Sequence, residues 1–301
     1  MILSTTSENP YSESMGMLKI FLGIEINEMQ LHRITDHYGE SLHEVLDTNE
    51  KLLPSPQPDD MTYVMVDGSF VLTREEKWKE AKLGRIFNGK DCLHIEGKSG
   101  LIKHSQYVSH FGDCKDFTKK MERVLDAYGN MGKRIIFVTD GAVWIRNWIT
   151  DAYPYAIIIL DFFHAKEYLC NFAKEYFMDD KARKKWIEEQ EKRLLESETQ
   201  QVIDTMIDLN QNNPTGIGKT VIEYYSANLT RMDYKNYLTI GKGIIGSGAI
   251  ESAHRTVIQK RMKLSGQRWS KKGAKNMLCL RTLKMNGQWC KVIDRIKANA
   301  A

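Results

Sequence analysis

Over residues 61–160 the apolar residues fall in short runs bounded by turn formers. Residues 61–73 read as a buried strand with its continuation, and 83–87 as a second strand closed by Asn88-Gly89, a strong hairpin signal. Residues 107–111 lie in or near a third. Residues 116–128 form an amphipathic pattern that predicts a helix ending before Gly129, followed by a strand at 134–139, a helix at 141–150 and a strand at 155–160. Three strands, then helix, strand, helix, strand is the element order of an RNase H-like fold. The expectation is therefore α/β, with a mixed sheet and crossover helices.

The flanking regions have a different pattern. Residues 1–53 read as a short helical N-terminal segment. Leu18, Ile20, Phe21 and Ile24 precede a break at Gly23 to Asn27, and Met29, Leu31, Ile34 and His37 then recur at helical spacing. That arrangement suits part of a helix-turn-helix or a small packing element equally well. Pro54, Pro56 and Pro58 mark a stiff linker at 54–60. The core then occupies 61–161. Residues 162–240 are rich in Lys and Glu with an apolar stripe of Trp186, Leu194, Leu195, Val202, Ile203, Met206 and Ile207, which predicts an all-helical insertion. Residues 241–301 complete the chain as a Glu-bearing helix and a basic segment.

The gross composition excludes some classes. With 42% hydrophobic and 27% charged residues, the chain reads as an ordinary globular protein. Its five cysteines are scattered without a Cys-x-x-Cys pair, against a zinc ribbon or a disulfide framework, and no stretch reads as a signal peptide or a membrane span. A cytoplasmic location is expected. The net charge of +4 is unevenly placed: residues 255–301 hold 13 Lys/Arg against one acid, Asp294, a local +12 that leaves the remainder at −8. A basic segment on an acidic protein points to a polyanion such as nucleic acid, or else to a solvated basic face.

Three acids stand where elements should begin or end. Asp67 closes the run Tyr63 to Val66, Asp140 closes the run Arg134 to Thr139, and Glu251 lies one turn into a segment opened by Gly246-Ser247-Gly248. In an RNase H-like sheet the first and fourth strands are neighbours, so Asp67 and Asp140 should meet and a helix should bring Glu251. Such oxygen donors suit Mg²⁺ or Mn²⁺, and a pair of metal ions is the usual device for in-line phosphoryl displacement. The bland alternative is that the Asp-Gly pairs only make turns. Asp161 and His164 follow the strand at 155–160, as a helix cap with a packed histidine or as groups beside the metal site.

Within 246–270, Ile250, Ala253 and Val257 form an apolar stripe, while Glu251, Arg255 and Gln259 recur every four residues on another face. Arg255, Arg261, Lys263, Arg268, Lys271 and Lys272 are candidates for phosphate contacts. Trp269 among them is a base-stacking candidate or a core residue. Residues 213–220 only superficially resemble a phosphate loop: Asn213 stands where glycine is needed, and a helical stretch precedes it. Cys92, His94, His104 and His110 form no metal-ligand pattern and read as structural.

Asp67-Gly68-Ser69, Thr139-Asp140-Gly141, Asp161-x-x-His164 and Gly246-Ser247-Gly248-x-x-Glu251, followed by Arg261-Met262-Lys263-x-Ser265-Gly266-x-Arg268-Trp269-Ser270, resemble bacterial insertion-sequence DDE transposases of the Kra type, related to the Mutator-like group. The resemblance spans about 61–290 and is most specific over 245–290. It implies a DNA transposase that hydrolyses phosphodiesters at element ends and transfers strands into target DNA. It further implies Asp67, Asp140 and Glu251 as ligands of two Mg²⁺ or Mn²⁺ ions, Asp161 and His164 as an associated motif, and a homodimer or larger assembly on DNA at the nucleoid. Relatives carry more N-terminal sequence than the roughly 50 residues before the core here. The alternatives are an RNase H-like nuclease without strand transfer, or a truncated, non-catalytic DNA-binding remnant.

Overall fold

The computed structural model describes residues 1–46, 52–54, 60–93, 100–128 and 134–300. Five strands form the central sheet: β1 (Thr62–Thr73), β2 (Lys77–Asn88), β5 (Gln106–Phe111), β6 (Ile135–Thr139) and β7 (Ile157–Leu160), in the order β5-β2-β1-β6-β7. The pairs β1–β2 and β2–β5 are antiparallel, and β1–β6 and β6–β7 are parallel. This is the mixed RNase H-like sheet expected from the element order. Strands β3 (Cys92–Leu93) and β4 (Leu101–Ile102) make a separate small ribbon.

Side-chain alternation along β1 builds two cores. Tyr63, Met65 and Val71 face one, and Val64 and Val66 face the other, where Phe117 and Met121 of α5 (Cys114–Asp126) and Ile145 and Ile149 of α6 (Val143–Ala152) pack. Asp113 caps α5 by accepting from the Asp116 N–H at 3.0 Å. Helix α5 ends at Asp126, earlier than the pattern suggested, while Gly129 and two of the linker prolines, Pro56 and Pro58, lie outside the described residues.

The strands depart from the sequence reading in two places. Asp67 does not end β1: pairing with β2 is continuous from Thr62↔Asn88 to Thr73↔Lys77, so Gly68 and Ser69 are strand rather than turn. Asn88-Gly89 is likewise not the hairpin turn. The Asn88 side chain is buried, accepting from Thr62 Oγ1 at 2.9 Å and donating to the Pro54 carbonyl at 2.9 Å, and the hairpin reverses at residues 74–76 instead.

The insertion is helical: α7 (Phe162–Tyr176), α8 (Asp180–Leu195), α9 (Thr199–Asn212), α10 (Gly216–Asn228) and α11 (Tyr234–Tyr237). Leu194, Val202, Ile203 and Met206 of its apolar stripe are buried, and Trp186, Leu195 and Ile207 pack against them. The phosphate-loop lookalike follows α9, and Thr215 simply caps α10 by accepting from the Gly218 N–H at 2.9 Å.

The chain ends meet. Helices α1 (Ile2–Thr6), α2 (Tyr11–Leu22), α3 (Glu28–Ser41) and α4 (His43–Leu46) pack near α14 (Lys271–Met285) and α15 (Trp289–Ala300), with Leu3, Leu42, Leu280, Leu283 and Val292 in one cluster. Helices α2 and α3 pack on each other, and α3 packs against α14. Among the described residues no helix is long and apolar enough to cross a membrane.

Candidate active site

The register brings the acids together. Met65 is level with Val138, so Asp67 and Asp140, each two residues further along neighbouring parallel strands, emerge side by side. Each carboxylate accepts from backbone close to it in sequence: Asp67 Oδ1 from the Gly68 N–H at 2.6 Å within β1, and Asp140 Oδ1 from the Ala142 N–H at 3.0 Å just past β6. Gly141 adopts φ +89°, which a side chain rarely tolerates, and an added Cβ would also lie 2.9 Å from Leu160. Tyr224, from the helical insertion, donates to the Asp140 carbonyl at 2.9 Å and fixes this corner.

Glu251 lies on α12 (Gly248–Ala253), which continues through a π-wound turn (His254–Gln259) into α13 (Lys260–Met262). The apolar stripe Ile250, Ala253 and Val257 faces the core, as the sequence pattern predicts. Glu251, Arg255 and Gln259 line a cleft of about 240 Å³, whose opposite wall is Asp67, Gly68 and Ser69. The helix is pinned to the sheet at its start. Arg85 of β2, itself buried, donates to the Ala249 carbonyl at 2.7 Å.

A second pin is Asp161. It is fully buried, accepting from the Phe163 and His164 N–H groups and from both the N–H and the hydroxyl of Ser247. It therefore caps α7 and ties down the approach to the Glu251 helix, and it is not among the residues that line the cleft. A Cβ at Gly246 would lie 2.5 Å from the exposed Phe163 ring, which would have to turn aside. His164 is half-exposed, with Nε2 4.0 Å from Asp161 Oδ2 and Nδ1 3.9 Å from Glu167.

The electrostatics single out Asp67. Burial pushes its carboxyl up to about 6, and the neighbouring Asp140 carboxylate pushes the same way, against the Gly68 N–H and His164. His254, absent from the sequence-based candidates, stands with Nε2 3.4 Å from Asp67 Oδ2. Its ring is buried, neither nitrogen has a hydrogen-bond partner within bonding geometry, and burial lowers its pKa to about 4. The signal was available in the spacing, since His254 follows Glu251 by three residues on the same helix.

The oxygen donors Asp67, Asp140 and Glu251 suit a hard divalent cation in kind, and the mutual repulsion of Asp67 and Asp140 is what a cation would relieve. They are only partly assembled. Among the described residues no group of three or more His, Cys, Asp or Glu side chains stands close enough to hold a metal ion.

A profile of an uncharacterised protein family, UPF0236, matches residues 33–297. The chain belongs to that family. The match extends from α3 to α15 and so includes every residue of the cleft. No curated protein matches this UPF0236 member.

The basic candidates divide. Arg255, Lys263 and Arg268 are exposed, and Lys263 reaches Ser69 Oγ at 3.1 Å beside the cleft. Lys271 and Lys272 are exposed but paired, with Glu76 and with Glu40. Arg261 and Trp269 are corrected. Arg261 is 0% exposed, donates from Nε to the Thr6 carbonyl at 2.8 Å and lies between the Tyr11 and Trp269 rings. Trp269 is 5% exposed and extends the sheet beside β1, so it offers no face to a base. Much of the +12 segment is neutralised within the fold, for Glu8 alone meets Lys260, Arg281 and Lys284, and Glu44 meets Arg295.

Proposed function

We propose that this protein is a metal-dependent DNA-processing enzyme of the DDE transposase type, hydrolysing phosphodiesters at element ends and transferring the freed strand to target DNA. One juxtaposition carries the reading: Asp67 and Asp140 emerge together from adjacent parallel strands, and Glu251 shares the Asp67 cleft. Asp67, Asp140 and Glu251 would hold Mg²⁺ or Mn²⁺, which when bound supplies charge neutralisation at the scissile phosphate and a water of lowered pKa. The chain's own groups supply the rest. Arg255 and Lys263, at the rim, hold non-bridging phosphate oxygens. Asp161 and Ser247 keep the Glu251 helix in place. His164, within electrostatic reach of Asp67, steadies the carboxylate side of the site.

The test is a nicking and joining assay with DNA carrying the element's ends. Mg²⁺-dependent cleavage that is abolished by Asp67→Asn, Asp140→Asn and Glu251→Gln in folded protein supports the reading. Cleavage retained in any one variant removes that residue from the set. Cleavage without joining favours a nuclease of the same chemical class, and no cleavage at any metal concentration overturns the enzymatic reading.

A further inference from the structure

The ribbon of β1 and β2 runs past its neighbours. Pairing with β6 stops at Met65↔Val138 and pairing with β5 stops at Ala81↔Phe111, yet β1 and β2 continue to Thr73↔Lys77. The projecting part is held firmly. Trp269 donates to the Leu72 carbonyl at 3.0 Å and accepts from the Arg74 N–H at 2.8 Å, and its ring is locked against the Arg261 guanidinium. A rigid two-stranded ribbon therefore begins at Asp67 and ends about six residues beyond it, on the order of 20 Å at strand rise.

One face of that ribbon carries large apolar side chains in water. Phe70 is 55% exposed and Trp78 is 61% exposed. The register sets Phe70 opposite Glu80 and Leu72 opposite Trp78, so Phe70 and Trp78 are diagonal neighbours on the same face. Packing does not explain exposed aromatic rings on an ordered ribbon. The charges around them select a partner. The two acids of the turn are engaged internally: Glu75 accepts from the Lys271 N–H, and Glu76 pairs with Lys79 and Lys271. Arg74 and Lys77 at the tip, and Arg268 next to Trp269, are exposed and make no ion pair among the described residues. Aromatic faces framed by unneutralised cations complement a strand with stacked bases and a phosphate backbone.

We propose that the projecting β1–β2 ribbon is a binding platform for unpaired nucleobases, with Trp78 and Phe70 stacking on bases of a DNA strand and Arg74, Lys77 and Arg268 taking its phosphates. This rests on the DNA-processing reading and adds a substrate feature to it: the strand is single-stranded, or opened, where it leaves the cleft. The aromatics face away from the Asp67 side of the ribbon, since residues 67 and 70 point to opposite faces, so the bound strand wraps the ribbon instead of lying flat in the cleft.

The experiment uses the full chain without metal, titrated with a fluorescein-labelled single-stranded oligonucleotide and with the matching duplex, together with sedimentation velocity. Trp78→Ala and Phe70→Ala are surface changes whose folding is checked by thermal melting. The platform predicts about tenfold weaker single-strand binding for Trp78→Ala, near-parental binding for Trp78→Phe, and a smaller effect on the duplex. Lys77→Glu should lower the salt dependence of binding. Parental binding that Trp78→Ala leaves unchanged overturns the platform while leaving the enzymatic reading intact. A parental protein that binds no DNA at all sinks both. Loss of a dimer in Trp78→Ala, with DNA binding unaltered, overturns the platform in favour of a self-association face.

Discussion

His254 Nε2 lies 3.4 Å from Asp67 Oδ2, but the two do not form an ion pair at neutral pH. Burial lowers the imidazole to about 4 and raises the carboxyl to about 6, so a neutral ring stands beside a carboxylate. Burial acts on both groups in the same sense, against the charged form, and the proximity of Asp140 adds to it at Asp67. This corner stores unfavourable electrostatics in the metal-free protein.

Asp67→Asn should therefore stabilise the metal-free protein. The folded-state pKa of Asp67 is raised from 3.8 to about 6, so ionising it costs more in the folded chain than in the unfolded one. That penalty is absent below the unfolded value, grows as pH rises between the two, and is complete above about 6. With the side chain 39% exposed, screening reduces it to about 1 kcal/mol, or roughly 2 °C in Tm. Melting curves of both proteins at pH 8 and pH 4 check this: the gain should be present at pH 8 and gone at pH 4. A loss of Tm at pH 8 would show that Asp67 is a stabilising group.

Glu8 has the opposite sign. Burial tends to raise its carboxyl, but the Lys260 hydrogen bond, Arg281 and Lys284 outweigh it and hold the pKa down at about 2. A depressed carboxyl contributes stability above the unfolded value of 4.5, and that contribution is lost as pH falls from there toward about 2. Glu8→Gln should cost about 1–2 kcal/mol at pH 7 and little at pH 2. Urea titrations at the two pH values read the difference.

Cleavage by His164→Ala is expected to fall about 10- to 100-fold, the usual range for a residue that orients a metal site without ligating it. Metal concentration profiles separate the roles. Activity as low as that of Asp140→Asn at saturating metal would make His164 part of the chemistry, and full activity would leave it as packing.

The salt dependence of DNA binding should flatten on charge reversal at Arg255, Lys263 or Arg268, by about one counterion each. Arg261→Ala should instead lower Tm, because that guanidinium is buried against Thr6, Tyr11 and Trp269. Electrophoretic mobility over a salt series, paired with melting curves, distinguishes the two groups of residues.

Sequence periodicity was enough for the order of strands and helices in the core, because its apolar runs are largely buried as they read, whereas Ile20, Phe21, Ile24 and Met29 of the N-terminal pattern are exposed. It located Glu251, Arg255 and Gln259 on one face, which is the face lining the cleft. It misjudged groups whose surroundings come from distant parts of the chain. Arg261 and Trp269 look like a surface motif until Tyr11 and Thr6, some 250 residues away, close over them. Asn88-Gly89 reads as a turn until Thr62 and Pro54 claim the asparagine. Burial of Asp161 depends likewise on Ser247.

The clamp between the two ends of the chain bears on how the protein is made. Arg261 and Arg281 reach back to the carbonyls of Thr6 and Ser7, across sequence separations of 255 and 274 residues. The ribosome releases the first helices long before α14 exists, so this clamp closes only late in synthesis. The helix bearing Glu251 gains its outer support only when the last segment docks. A chain interrupted before residue 281 would carry Asp67, Asp140 and Glu251 yet lack the Arg281 contacts to the Val257 and Thr256 carbonyls that brace the Glu251 helix.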